Sequence, residues 1–201
     1  MAFTYFFRDL QTLEVIRDHV LPSLRGRRFI RIWDAGCAMG PEPYSLAMVL
    51  REGMGYMQFR NVKIIATDID HSNLFRQVIE AGVYPEDQIK RIPDDVFTRF
   101  FHSADRDRSW RLNDEIRGAV EYKQHDLLSL KPPVERVGLI VCKNVLLHFQ
   151  SVERVEVLQM FYRTLDDGGY LAVEQTQNMP EELSEFFEPV VDKARVFRKV
   201  A

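Results

Sequence analysis

Cysteine is nearly absent from these 201 residues: Cys37 and Cys142 are the whole supply. Two thiols make no disulfide framework, which sets the expectation of a reducing, cytoplasmic setting. No stretch approaches the roughly 18 consecutive apolar residues of a membrane span. The N-terminal stretch brings aromatics at once and charges within the first turns (MAFTYFFRDL), which excludes a signal peptide. A charge excess of one sign is also missing. Twenty-seven basic residues against thirty acidic ones leave a formal charge of -3, so no global basic field points to nucleic acid or to an anionic membrane. Internal repeats, low-complexity tracts and Pro/Gly/Ser linkers are lacking, and residues 1–201 read as one domain. What is present, 46% hydrophobic and 28% charged residues, is a globular composition.

The hydrophobic pattern alternates between strands and helices. Phe6, Phe7, Leu10, Leu13, Ile16, Val20 and Leu21 predict a helix within 5–24. A strand at 28–36 runs into a glycine turn, and a helix at 41–54 opens on a proline, where a missing N–H costs nothing. Next come a buried strand at 61–70, a helix at 72–81 stopped by Gly82, a strand at 137–144, a helix at 151–165 and a strand at 168–175. Such alternation predicts an α/β fold with a doubly wound, mostly parallel sheet. Residues 86–124 break the rhythm with a charged helix, a polar loop and two strand-like pieces, SWRLN and AVEYKQHD. They are expected to form a small inserted α/β subdomain on the rim. The C-terminal FFEPVV and RVFRKV predict an antiparallel hairpin at the sheet edge.

Three local constellations carry chemistry. Gly36 and Gly40 lie between the first strand and its helix, where a sheet of this kind brings backbone close to a ligand. The spacing is not GxGxxG and lacks the P-loop Lys-Ser/Thr, so a phosphate cradle is poorly supported. Asp68 ends the second strand, placed to accept both hydroxyls of a ribose, whereas Asp70 suits a helix cap. Turn and acid together point to an adenosine-containing cofactor, NAD or S-adenosylmethionine, and the absence of a second mononucleotide half favours the smaller. In GPEPYS, Glu42 stands at a helix N-terminus, where it either stabilises the helix dipole or binds the amino group of a methionine moiety. No histidine or cysteine spacing supports a metal site. Cys37 and Cys142 would end adjacent strands at the pocket, as two buried wall residues or as a redox-sensitive pair.

FFRD near the start, GPEPYS, TDID and CKNVLLHF, in that order, resemble the CheR family of chemotaxis receptor methyltransferases, whose patterns are close to TxFFR, STGEEPYS, SDID and CRNVxIYF. The resemblance covers nearly the whole chain. It implies a Rossmann-like class I S-adenosylmethionine methyltransferase that methylates glutamate side chains of chemoreceptors, or of another acidic protein. It further implies that Thr4 and Arg8 hold cofactor and catalytic positions, that Glu42 meets the methionine part and Asp68 the ribose. Asp126 and Leu127 then lie near the adenine, and Asn144 borders the same crevice. The departures are Pro41 for one acid of GEEP, Cys37-Ala38-Met39 for the Ser/Thr-rich turn, Lys143 for an arginine, and His148 for a tyrosine near the transferred methyl. The resemblance also implies that the family's basic helical domain, which precedes TxFFR, is absent. A receptor would then be gripped either through a partner protein or by an Arg-rich surface such as Arg91, Arg106, Arg108 and Arg111.

A carboxylate acceptor is already a nucleophile at neutral pH, so methyl transfer to it needs orientation rather than a base. Arg8 can orient the acceptor. His148 can take the tyrosine's hydrogen-bonding part, or act as a base for a hydroxyl or amine acceptor. The alternatives are a methyltransferase with another acceptor, a non-catalytic module that binds the methyl donor, and an NAD oxidoreductase.

Overall fold

The computed structural model describes residues 4–104 and 108–200. Among them a seven-stranded sheet runs in the order β6-β2-β1-β7-β8-β10-β9. Strands β1 (Ile30–Ala35), β2 (Val62–Asp68), β6 (Val120–Gln124), β7 (Val137–Cys142) and β8 (Leu165–Val173) are parallel. The hairpin of β9 (Phe187–Val191) and β10 (Ala194–Lys199) adds the antiparallel edge, with β10 inserted against β8.

The central strands are near-continuous apolar runs because both sheet faces are covered. Successive side chains of β1 point to opposite sides. Ile30 and Ile32 join the core formed with the N-terminal helical segments and the Pro41–Met54 helix. Trp33 and Ala35 join the core beneath the Ser151–Thr164 helix, through Leu158 and Phe161. The chain travels outward from β1 to β2 and β6, then returns to place β7 on the other side of β1. That reversal opens a crevice at the carboxyl ends of β1 and β7.

Several boundaries differ from the sequence reading. The first helix starts at Leu10, where the Asp9 carboxylate accepts hydrogen bonds from the N–H and the hydroxyl of Thr12. It then passes through a π-helical turn, Ile16–Val20, into Leu21–Leu24. The helix after β2 begins at Phe75, because Asp70 accepts the N–H groups of Leu74 and Phe75. Gly82, in the left-handed region, ends it.

The insertion has other bounds than 86–124, beginning earlier and ending before the last strand-like piece. Its antiparallel sheet consists of β3 (Val83–Pro85), β4 (Phe101–Ser103) and β5 (Ser109–Leu112). The AVEYKQ segment belongs to the main sheet, as β6, paired with β2 from Ile64↔Val120 to Asp68↔Gln124. Being an edge strand, it buries only Tyr122, so its pattern resembles that of a rim. Phe6 is fully buried edge-on against Tyr84 and Phe101, fastening the N-terminal segment to the insertion. Arg106 lies outside the described residues. Among the described residues, no helix is long and apolar enough to cross a membrane.

Candidate active site

The turn after β1 is built by the backbone of β2. The N–H groups of Gly36 and Cys37 both donate to the Thr67 carbonyl, at 2.7 and 2.9 Å. Ala38, at a φ of 47°, donates its N–H to one Asp68 oxygen at 2.9 Å. Gly36, at a φ of 107°, is required twice over: a Cβ there would stand 2.1 Å from a Val145 methyl. The glycine turn therefore lies directly against the loop after β7. Gly40 serves differently from expectation. It is absent from the cavity wall, and its left-handed φ and its closeness to the Tyr84 hydroxyl demand the glycine.

At this junction lies a cavity of about 560 Å3, walled by Thr4, Arg8, Gly36, Glu42, Asp68, Asp126, Leu127, Asn144 and His148, together with Thr67, His125, Lys143 and Val145. Four of its five wall segments meet there because the carboxyl ends of β1, β2, β6 and β7 are neighbours, and the N-terminal segment supplies Thr4 and Arg8. Asp126 accepts the N–H of Leu128 at 2.9 Å and so caps the short turn Leu127–Ser129. Asn144 sits at a φ of 59°, its N–H donated to the buried Glu174 at 3.2 Å. His148 stands in the next turn, Leu146–His148, exposed at the cavity mouth. The Arg8 guanidinium stands 5.9 Å from the ring centre of Tyr5, and Arg91 of the insertion stacks on the same ring at 4.1 Å. Cys37 and Cys142 are buried and free, and neither lines the cavity.

Glu42 leads from the cavity wall to a buried acidic pair. Asp34 and Glu42 are adjacent, and both oxygens of Asp34 and one of Glu42 are buried without a hydrogen-bond donor among the described residues. Burial, reinforced by Glu42 and Asp68, drives the Asp34 carboxyl well above the usual carboxylate range. Burial likewise raises Glu42, to about 7, against the opposing charge of Lys143. The buried Glu42 carboxyl, which lines the cavity, suits a ligand that carries an ammonium group. The Asp68 carboxylate at the end of β2 suits a ribose diol. The residues present thus fit S-adenosylmethionine, which carries both. Among the described residues no group of His, Cys, Asp and Glu is arranged to hold a metal ion.

Residues 2–195 match the family model for the CheR methyltransferase, SAM binding domain. The chain belongs to the CheR family. This CheR domain is 32% identical over 182 residues to chemotaxis protein methyltransferase 2 of Vibrio cholerae, covering 88% of the chain and 62% of that relative. It is 33% identical over 189 residues to chemotaxis protein methyltransferase 1 of Pseudomonas aeruginosa, covering 89% and 68%. The chain thus spans about two thirds of the length of these relatives. Among solved structures, the rRNA methyltransferase AviRa of Streptomyces viridochromogenes superposes with a TM-score of 0.58 at 12% identity, covering 98% of this chain and 86% of that one. At that identity the likeness concerns the fold, a Rossmann-like methyltransferase sheet.

Three residues of the CheR domain's site escape the sequence reading. Asp34 is given no role there, although its place at the end of β1 is a usable signal. His125 lines the cavity and stands edge-on to Trp33, with ring centres 5.6 Å apart. Glu174, at the end of β8, holds the Asn144 backbone from a part of the chain that no motif marks.

Proposed function

We propose that this CheR domain transfers the methyl group of S-adenosylmethionine to glutamate carboxylates of an acidic protein substrate, a chemoreceptor in a cytoplasmic setting. The observation that carries the reading is the convergence of Asp68, Glu42 and Asn144 on one cavity whose mouth holds Arg8 and His148. In this reading Asp68 binds the ribose and Glu42 the ammonium group. Asp126 and Leu127 flank the adenine, and Thr4 and Asn144 close the cofactor in. The bound cofactor supplies an activated methyl group on a sulfonium.

The chain's own contribution is orientation and exclusion of water. Arg8, exposed at the mouth, pairs with the acceptor carboxylate and aims one oxygen inward. His148 hydrogen-bonds the approaching acceptor. The Arg91–Tyr5–Arg8 stack supports an acidic partner, since it places two guanidinium groups on one aromatic ring beside the opening. A second reading, another acceptor, is favoured by His148, which offers a base that a carboxylate would not need.

The test combines calorimetric titration with S-adenosylmethionine and S-adenosylhomocysteine and a labelled-methyl transfer assay on a chemoreceptor fragment. Saturable binding, weakened about a hundredfold or more in Asp68→Ala, is expected from loss of a bidentate charged contact. Label on the fragment should be released as methanol by mild base, as from an ester. Label that resists base would establish the other acceptor, and absence of binding by folded protein would refute the cofactor assignment.

A further inference from the structure

Behind the cavity wall, Asp34 has no role in the cofactor reading above, yet its surroundings constrain its state tightly. Its side chain is wholly buried, and neither oxygen receives a hydrogen bond from the described N–H and O–H groups. Glu42, one oxygen of which is in the same condition, lies within hydrogen-bonding reach. Two ionised carboxylates so placed would each lose solvation and repel the other. One proton held between them satisfies a donor and an acceptor together and converts the repulsion into a short O–H···O⁻ bond.

The groups facing the pair decide where that proton resides. Asp34 faces Glu42 from the helix, Asp68 from the end of β2 and the Cys37 thiol from the turn, with no cation among them. Glu42 faces Lys143 from the end of β7 and Arg8 from the N-terminal segment, as well as Asp9. Negative charge is therefore better tolerated on Glu42, and Glu42 is also the one of the two that reaches the cavity.

We propose that Asp34 is a positioning residue that remains a neutral carboxylic acid and donates its O–H to Glu42, presenting Glu42 as the carboxylate that receives the ammonium group of the cofactor. The inference rests on the cofactor reading for that last clause only; the protonated Asp34 belongs to the ligand-free protein. Asparagine has the same shape and donates an N–H, so it is the conservative replacement. Alanine leaves Glu42 without its donor.

Two measurements on the intact domain decide the matter. In infrared difference spectra of ligand-free wild type against Asp34→Asn at about pH 8, where an ordinary aspartate is ionised, a protonated-carboxyl C=O stretch is expected in wild type and not in the variant. Its absence from wild type overturns the proposal whether or not any cofactor binds. In calorimetric titration with S-adenosylhomocysteine, Asp34→Asn should bind within about threefold of wild type. Asp34→Ala should bind about tenfold to a hundredfold more weakly, the loss of one hydrogen bond to a charged group. Equal losses in folded Asp34→Asn and Asp34→Ala would mean that charge, not a donor, is needed at this position, and would also overturn it. If Asp34→Ala fails to fold, the infrared band and the Asp34→Asn affinity still decide. If wild type binds no cofactor, the cofactor reading fails while the infrared result stands.

Discussion

The Lys143 ammonium lies 2.5 Å from the Asp9 carboxylate, across 134 positions of sequence. It also donates to the Val173 carbonyl at 2.7 Å and to the Thr12 hydroxyl at 3.2 Å. One buried cation thus ties the start of the first helix to the ends of β7 and β8. Burial alone would raise Asp9, but the hydrogen bond and charge of Lys143, with Thr12, outweigh it and hold the carboxyl below its usual value.

Lys143→Met should therefore destabilise the domain. Breaking a fully buried pair costs about 3–5 kcal/mol, and about 2–3 kcal/mol is expected here because Asp9 is partly solvated. Urea midpoints measure it, and a loss under about 0.5 kcal/mol would reduce the pair to a surface contact. Because Asp9 is depressed on folding, its contribution is present above its ordinary value of 3.8 and fades as pH falls below it.

Gly36→Ala combines a strained φ with a Cβ inside the van der Waals envelope of Val145. A loss of about 2–5 kcal/mol is expected. Since Val145 adjoins Asn144 in the cavity wall, cofactor affinity should fall as well. A variant of unchanged melting temperature and affinity would show that the loop after β7 yields freely.

Glu42 makes a pH signature with a definite sign. Its value is raised from 4.5 to about 7 on folding, so the native state holds more protons than the unfolded one between those limits. Stability of the ligand-free domain should fall as pH rises through that window. Binding of a ligand that carries an ammonium group should strengthen over the same range as Glu42 ionises. Glu42→Gln should abolish the binding trend, and it should reduce the stability slope without removing it, because the raised Asp34 carboxyl contributes with the same sign; calorimetry and urea titrations at several pH values check both.

Cys37 and Cys142 are fully buried, and burial, then neighbouring acids, pushes both thiols well above their usual value. Neither should react with a disulfide-exchange reagent in the native domain, and both should react after unfolding in urea. Fast labelling of the native protein would reveal an opening of the turn after β1 or of the end of β7.

Much of the site is legible in the sequence because its parts are local. The apolar run of β2 ends at Asp68 wherever the strand is placed in the sheet, Gly36 marks a turn that needs positive φ, and Asp70 caps the helix beyond it. The strand–helix alternation likewise implies the parallel order and hence the crevice. The edge strand β6 reads as part of the insertion because one buried residue, Tyr122, leaves no period to detect.

What the amino-acid sequence determined by itself was therefore the set of elements, the turn chemistry and the acids at strand ends, all set by neighbours a few residues apart. Only the tertiary structure decided that Lys143 would meet Asp9, that Glu174 would hold Asn144, and that Asp34 and Glu42 would face one another within the core. The reason is physical. Hydrophobic periodicity says which face is buried, but burial brings together polar groups from distant segments, and their protonation and pairing are settled by the neighbours they find there.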